Sequence, residues 1–273
     1  MAGPFISFLT DFGRDTAPAV CRGVIWSIAP EARILDLTHT VRQFGVRDGA
    51  FLLSTAVPYL PVGIHLAVVD PGVGTARRPV ALRARRGDVL VGPDNGLLVP
   101  AAEALGGIVE AWELANRRLM LDAVSSTFHG RDLFAPIAAH LANGVALADV
   151  GPEVDVGSLE RIELPAPAVI HGRFETSVLF VDAFGNCRLA GGSADLAALT
   201  GGAFAPDGYR LHLGDRRGEL EAPWVETFGA VPPGTPLLYE DADYAGLALG
   251  VNQGSAADRY RLETGAAISI EPA

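Results

Sequence analysis

The chain contains no lysine, and all 21 of its basic side chains are arginines. Without lysine there is no side-chain amine that could form a Schiff base with a carbonyl substrate. The lysine that holds phosphates in a Walker-type loop is missing as well. The composition therefore excludes two large classes of enzyme.

Cysteine is scarce, with only Cys21 and Cys187 in the chain. The two lie far apart and lack C-x-x-C spacing, so they predict neither a disulfide framework nor a zinc site. We expect both to be buried apolar residues. The histidines and aspartates also lack zinc-ligand spacing, and no metal is predicted.

Long apolar runs are absent: none approaches the roughly 18 residues that a membrane-spanning helix needs. The N-terminal segment MAGPFISFLTDFG has no basic region ahead of its apolar part, unlike a secretory signal. We therefore expect a cytoplasmic protein with no membrane partner.

Positive charge is in the minority, since 32 acidic residues against 21 basic ones give a formal net charge of −11. A protein that binds duplex nucleic acid needs a cationic face to release counterions. No nucleic-acid partner is expected, and a small-molecule partner is favoured.

The first half of the chain alternates short apolar runs with helix-like stretches, which predicts parallel strands joined by crossover helices. Asp11, Asp36 and Asp70 each come at the end of such a run. Ligands bind at the carboxyl ends of the strands in open α/β sheets, so these carboxylates indicate a site there.

The second half changes to short alternating strands, with turn residues about every 8–12 positions, as in a small barrel or sandwich. Residues 156–168 carry prolines and little periodicity and are predicted to be a linker. The predicted plan is an α/β domain with a mainly parallel central sheet over residues 1–155. A smaller all-β, barrel-like C-terminal domain is predicted over residues 169–273.

The segment VVDPGVGTARR, residues 68–78, has three interpretations. The first is the glycine motif of a Rossmann-type methyltransferase, but such a motif opens a helix, whereas ARRPVALRAR has the pattern of a strand. The second is a tight turn in which Gly72 and Gly74 supply positive φ angles. The third is a catalytic turn whose aspartate and arginine work together.

Five further segments share this turn chemistry of small and charged residues: LTDFG (9–13), GPDNGLL (92–98), STFHGRD (126–132), VDAFGN (181–186) and VNQGSAA (251–257). In this order and on this two-domain plan, the six motifs closely resemble the S-adenosylmethionine hydroxide adenosyltransferases. These enzymes are adenosine-forming S-adenosylmethionine hydrolases related to fluorinase and chlorinase. The resemblance extends over nearly the whole chain.

The resemblance implies that water or hydroxide attacks the 5′ carbon of the ribose and displaces methionine, giving adenosine. The hydrolytic members carry an Asp, Arg, His set, which corresponds here to Asp70, Arg77 and His129. The halogenating relatives carry Tyr where this chain has Asp70. The thioether of methionine leaves neutral, so catalysis reduces to positioning and to activating water. Which of the three residues is the base stays open.

The resemblance also implies residues that bind the substrate in the first half of the chain. Asp11 corresponds to the carboxylate that grips the ribose hydroxyls, and Phe44 to an aromatic that lines the ribose pocket. Asp15 lies where a carboxylate meets the methionine amino group. S-adenosylmethionine is the substrate, so no cofactor is expected.

In the second half, Asp182 corresponds to a methionine-side contact and Asn186 to an adenine-edge contact. Phe228 corresponds to a ring that stacks on adenine. The backbone around Val251 and Gln253 corresponds to the segment that reads adenine.

At Asp243 and Tyr244 the chain departs from the Ser-Arg pair that holds the methionine carboxylate in the fluorinases, and Tyr244 is a substrate-binding candidate. The resemblance further implies a homotrimer, with each site between the N-terminal domain of one subunit and the C-terminal domain of the next. The expected small-molecule partners are S-adenosylmethionine, adenosine and methionine.

Two other functions stay open. A methyltransferase would need a second substrate and would release S-adenosylhomocysteine. A binding module would hold S-adenosylmethionine or adenosine without turning it over. Around the site, Asp94 and Asn95 are predicted to shape a turn, and His39, Arg131 and Asp132 to be supporting polar residues.

Overall fold

The computed structural model describes residues 3–163, 165–205, 207–214, 218–242 and 246–273. The chain divides into two compact units, Met1–Ile162 and Glu163–Ala273. The described residues form two hydrophobic core clusters in the first unit and one in the second. Among the described residues, no helix is long and apolar enough to cross a membrane.

The first unit is built on a seven-stranded sheet. Its strands are β1 (Phe5–Thr10), β2 (Arg33–Thr38), β3 (Ile64–Val68), β4 (Pro79–Ala84), β5 (Val89–Pro93), β6 (Ile108–Glu113) and β7 (Glu153–Val154). Their order across the sheet is β2-β1-β3-β5-β4-β6-β7. The first four strands in that order pair in parallel, and the pairings of β4, β6 and β7 are antiparallel. The α/β prediction is confirmed.

Helices cover both faces of this sheet: α1 (Ala17–Ile28), α2 (Val46–Ala56), α3 (Val99–Ala104) and α4 (Ala135–Ala142). Helices α1 and α4 pack together on one face, and α2 and α3 on the other. The alternation of side chains along the strands explains the two cores. In β1, Ile6 and Phe8 face the α1 side while Leu9 faces the α2 side.

The segment before α4 is helical and not a plain loop. Residues Gly130–Phe134 form a π-helical turn that continues directly into α4. Single π-helical turns often occur at functional sites, because the extra residue in the turn changes the direction of the neighbouring side chains. After α4, Gly144 has a φ of +91° and ends the helix, as its position in the sequence predicts.

A buried chain of hydrogen bonds joins the middle strands. Ser7 Oγ lies 2.8 Å from His65 Nδ1, and His65 Nε2 lies 2.9 Å from Asp88 Oδ1. Burial lowers the pKa of His65, which favours the neutral imidazole. Ser, His and Asp are the residue types of a nucleophilic triad, but all three are buried here and tie β1, β3 and the start of β5 together.

The second unit is an antiparallel sheet of eight strands. They are β8 (Ala168–Ile170), β9 (Arg173–Val181), β10 (Cys187–Leu189), β11 (Tyr209–His212), β12 (Glu219–Ala222), β13 (Pro236–Asp241), β14 (Gly246–Val251) and β15 (Ala267–Pro272). The order is β12-β11-β15-β9-β10-β14-β13, with β8 paired to β9. Among the described residues of this unit, the short helices α5 (Ser193–Ala198) and α6 (Ala256–Tyr260) accompany the sheet.

The sheet of the second unit nearly closes on itself. Beyond β12, Trp224 forms a bridge with Leu238 of β13, and Val225 N donates to the Leu238 carbonyl at 3.0 Å. The two outer strands of the order are thus joined by the chain that follows β12. Closure removes exposed strand edges, and the predicted barrel-like domain is confirmed.

Both cysteines are buried, as predicted from their spacing. Cys21 lies on the buried side of α1, and Cys187 lies in the core of the second unit. Burial raises the pKa of each thiol to about 12. Both are therefore protonated near neutral pH and behave as small apolar side chains.

Candidate active site

The connection between β3 and β4 carries Asp70 and Arg77, which face each other in a bidentate pair. Arg77 Nε donates to Asp70 Oδ1 at 3.0 Å, and Arg77 Nη2 donates to Asp70 Oδ2. Only 8% of the Arg77 side chain and 5% of the Asp70 side chain are exposed. The paired fork and carboxylate give both side chains a single orientation.

His129 is the third member of this group and immediately precedes the π-helical turn. Arg77 Nη2 lies 3.3 Å from His129 Nδ1. A guanidinium can only donate, so Nδ1 accepts and the neutral ring carries its hydrogen on Nε2. Burial, and after it the charge of Arg77, lowers the pKa of His129. The imidazole is therefore neutral near pH 7 and presents an N–H donor.

The rest of the Arg77 guanidinium is also enclosed. The ring of Phe134, at the end of the π-helical turn, lies 5.3 Å from the guanidinium carbon. Arg77 Nη1 is buried and has no hydrogen-bond partner among the described residues. Buried polar groups are nearly always hydrogen-bonded, so a buried Nη1 without a partner is an unusual feature of this group of side chains.

The LTDFG and STFHGRD motifs are in contact. A Cβ atom on Gly130 would lie 2.6 Å from Cζ of Phe12, so the Phe12 ring fills the space that a side chain at 130 would need. The rings of Phe12 and Phe128 meet edge to face, with their centroids 5.5 Å apart. Phe12 belongs to the LTDFG motif and directly follows Asp11, but it was not predicted as a site residue.

Asp11 and Phe44 are in contact, whereas Asp15 bonds to neither of them and instead contacts the start of α1. The Phe44 backbone N–H donates to Asp11 Oδ2 at 3.0 Å. Phe44 has a φ of +61°, and 69% of its surface is exposed. Asp15 is exposed and accepts from the Ala17 N–H at 2.8 Å, two residues further along the chain, in the turn that leads into α1.

The polar residues expected to support the site hold its loops. His39 Nδ1 lies 3.0 Å from Thr10 Oγ1, next to Asp11 in the chain. Asp132 pairs with Arg131 and accepts from the Ser125 N–H at 2.9 Å, within the loop that leads to His129.

In the second unit, the VDAFGN motif forms the turn between β9 and β10. Asp182 Oδ1 accepts from the Asn186 N–H at 2.9 Å, and Asp182 Oδ2 accepts from Asn186 Nδ2 at 2.9 Å. The aspartate thereby orients the side-chain amide of Asn186. The side-chain carbonyl oxygen of Asn186 is directed toward Gly250 of β14.

The side chains of Phe228 and Asn186 both lie against Gly250, near the end of β14. A Cβ atom on Gly250 would lie 2.9 Å from Cε1 of Phe228 and 3.0 Å from Oδ1 of Asn186, so no side chain fits there. Val251 follows directly, and Gln253 has a φ of +54° in the tight turn after the strand. The structure therefore gathers these candidates at one end of the second sheet.

Tyr244, together with its neighbour Asp243, lies outside the described residues. Within the described ranges, no group of three or more His, Cys, Asp and Glu side chains is arranged to hold a metal ion. Chemically, the first unit thus offers a carboxylate fixed by arginine and a neutral imidazole. Such a set can orient a water molecule and accept its proton.

Comparison with known families agrees with the resemblance seen in the six motifs. Residues 6–151 match the family described as the SAM hydroxide adenosyltransferase N-terminal domain. Residues 176–269 match the corresponding C-terminal domain.

Individual proteins are similar over almost the whole chain. The chain is 48% identical to an (R)-S-adenosyl-L-methionine hydrolase of Salinispora tropica, over 93% of each protein. It is 29% identical to a fluorinase of an Actinoplanes species, over 99% of this chain and 98% of that one. A crystal structure of an uncharacterized conserved protein from Thermotoga maritima superposes with a TM-score of 0.88 at 36% identity, covering 97% of this chain and 99% of that one.

Proposed function

The chain belongs to the SAM hydroxide adenosyltransferase family, and on that premise we propose that it hydrolyses S-adenosylmethionine to adenosine and methionine. The name of its Salinispora relative supports this activity. The observation that carries the proposal is the contact of Arg77 with both Asp70 and His129.

The reaction is a displacement at a primary carbon. The oxygen of water forms a bond to the ribose C5′ atom while the bond from C5′ to the sulfonium sulfur breaks, and its electron pair returns to sulfur. Methionine leaves as a neutral thioether, so no proton is needed by the leaving group. The protein must hold the water in line with the C–S bond and remove one proton.

The geometry supports separate roles for the three side chains. Arg77 holds the Asp70 carboxylate in place, and its buried Nη1, which has no partner among the described residues, donates to the hydroxide-like oxygen that forms as the water loses its proton. His129, with Nδ1 accepting from Arg77, donates from Nε2 to the same oxygen. Asp70 keeps lone pairs beyond the two used by Arg77 and accepts the water proton.

The remaining candidates bind the substrate in this proposal. Asp11 and Phe44 take the ribose, and the Asp11 carboxylate is already oriented by the Phe44 N–H. The other contacts to methionine and adenine come from Asp15, Asp182, Asn186, Phe228, Tyr244, Val251 and Gln253. The protein is proposed to be a homotrimer whose sites combine the N-terminal domain of one subunit with the C-terminal domain of the next.

The two alternative functions differ in their products. The methyltransferase interpretation is weakened because the glycines of VVDPGVGTARR lead into strand β4 rather than into a helix. A binding module would retain its ligand unchanged, and the buried Asp70–Arg77 pair would have no water to activate.

The test is to incubate the purified protein with S-adenosylmethionine in halide-free buffer and to follow the nucleosides by chromatography. We expect adenosine from the wild type and a loss of about 100-fold or more in kcat for Asp70→Asn, which keeps the shape but removes the charge. Glu103→Gln is the matched control, because Glu103 pairs with Arg161 at an exposed position. It should leave kcat unchanged.

Other products would contradict the proposal. S-adenosylhomocysteine formed with a methyl acceptor would identify a methyltransferase. Tight retention of intact S-adenosylmethionine without any product would identify a binding module.

A further inference from the structure

The connection that carries Asp70 and Arg77 has to cross a neighbouring strand. In the sheet, β5 lies between β3 and β4, so the chain from the end of β3 to the start of β4 passes over the carboxyl end of β5. Strand β4 then runs antiparallel to β5, with Pro79 opposite Pro93. The residues that follow β5 therefore lie directly against this crossing turn.

Asn95 holds the first end of the turn. Its Nδ2 donates to the carbonyl of Val69 at 2.9 Å, one residue before Asp70. The same side chain accepts from the Leu97 N–H through Oδ1 at 3.2 Å, which sets the orientation of the amide.

Asp94 holds the second end. Its backbone N–H donates to the carbonyl of Arg78 at 2.9 Å, one residue after Arg77. Its Oδ2 accepts from Nε and Nη2 of Arg78 at 2.9 and 2.6 Å, and its Oδ1 accepts from the Glu160 N–H at 2.9 Å. Only 3% of the Asp94 side chain is exposed, so this anchor is shielded from water.

Close packing beneath the turn leaves little freedom. A Cβ atom on Gly92 would lie 2.2 Å from the carbonyl oxygen of Ala67, so β5 approaches β3 at a distance that only glycine permits. Two adjacent residues, Asp94 and Asn95, thus hold the residues on either side of the turn that presents Asp70 and Arg77.

We propose that Asn95 and Asp94 are positioning residues, which set the place of the Asp70–Arg77 pair by holding Val69 and Arg78. They act through the backbone of the turn and through Arg78. The inference rests on the proposed hydrolysis. Catalysis by orientation is sensitive to displacements of about 1 Å, which cost around 100-fold in rate. Loosening the turn therefore lowers kcat, while substrate binding by other side chains is kept.

Two substitutions of Asn95 separate its hydrogen bond to Val69 from its hydrogen bond to Leu97. Asn95→Asp keeps the acceptor for Leu97 but replaces the donor to Val69 by an oxygen, and Asn95→Ala removes both. We expect kcat to fall by about 10- to 100-fold in each variant, with KM changed by less than about 3-fold. Agreement between the two variants shows that the missing donor, and not the charge added by aspartate, lowers the rate.

Asn116 provides the matched control in the same unit. Its Nδ2 donates to the Asp149 carbonyl at 2.7 Å, and its Oδ1 accepts from the Arg118 N–H at 3.1 Å. This is the same bonding pattern at a turn that carries none of the candidate site residues. Asn116→Asp and Asn116→Ala should lower the thermal midpoint by a similar amount and leave kcat unchanged.

The proposal is overturned if the Asn95 and Asn116 variants lose kcat equally, or if the Asn95 variants keep wild-type kcat. A wild type that forms no adenosine would instead contradict the proposed hydrolysis. In that case a crystal structure of Asn95→Asp decides the positioning role. Movement of the Asp70 carboxylate by more than about 0.5 Å supports that role, and an unmoved pair rejects it.

Discussion

Arg77 is the residue on which the arrangement of the candidate site depends. It donates two hydrogen bonds to Asp70 and one to His129, and lysine could not make this set of contacts because it lacks the planar fork. The chain contains no lysine, and the position that needs the planar fork is occupied by arginine. One guanidinium thereby orients a carboxylate from the connection after β3 and an imidazole from the segment before α4.

The state of His129 leads to a prediction for the pH dependence. Burial and the charge of Arg77 lower its pKa, so the ring stays neutral down to a pH below the ordinary value of about 6.5. Below that lowered pKa, the protonated ring can no longer accept from Arg77. We expect kcat/KM to hold steady near neutrality and to fall only as the pH drops through a value under about 6.5.

The measurement is a pH profile of kcat/KM for the wild type and for His129→Asn, whose amide oxygen can also accept from Arg77. The variant should be slower and should lack the acidic fall. An acidic fall that persists in His129→Asn would assign the titration to another group.

Strand β5 packs closely against β3 near the carboxyl ends of the two strands, and this contact fixes where those ends lie. Glycine at position 92 allows the Ala67 carbonyl to approach. Gly92 comes shortly before Asp94 and Asn95, the two residues that hold Arg78 and Val69. Strand geometry and site geometry are therefore set by the same region of the chain.

Two glycine substitutions are expected to have opposite effects on stability. Gly92→Ala would push a methyl group against backbone, which cannot move away easily, and should lower the free energy of unfolding by about 1–3 kcal/mol. Gly23→Ala lies on the exposed side of α1 with nothing within 4 Å of its Cβ. It should raise the free energy of unfolding by about 0.5–1 kcal/mol, because alanine is the better helix former.

Urea denaturation of both variants and the wild type measures this difference. Equal stability of Gly92→Ala and the wild type would mean that β5 can move away from β3 at little cost.

The candidate residues are divided between two compact units, each with its own core. Asp11, Asp70, Arg77 and His129 lie in Met1–Ile162, and Asn186 and Phe228 lie in Glu163–Ala273. Neither unit holds the full set of groups that the proposed reaction uses. The proposed homotrimer would combine them from two different subunits.

Complementation tests whether the subunits share their sites. Asp70→Asn and Phe228→Ala chains are each expected to be inactive alone. In randomly mixed trimers from co-expression, about one site in four would combine an intact first unit with an intact second unit from another chain. We therefore expect about a quarter of wild-type activity, measured as adenosine formation, with a trimeric mass by light scattering.

Mixed oligomers that remain as inactive as their parents would show that each site comes from one chain. A monomeric mass would contradict the trimer directly.

Much of the plan follows from local patterns in the sequence. Alternating strands and helices predict the α/β unit, and short alternating strands predict the barrel-like unit, because burial of one face imposes a period on each element. The antiparallel strands β4, β6 and β7 in the first sheet were not predicted, since periodicity does not encode the direction of pairing. The π-helical turn at Gly130–Phe134 was not predicted either, because its residues also suit an α-helix.

The amino-acid sequence alone specifies which chemical groups are available: arginine without lysine, two thiols, and six motifs in an order typical of one family. Which of these groups are in contact depends on the three-dimensional fold. The contact of Arg77 with His129 joins residues 52 positions apart, and that of Asn95 with Val69 joins residues 26 positions apart. Such contacts depend on strand order, which arises from the packing of the whole unit and not from any local segment.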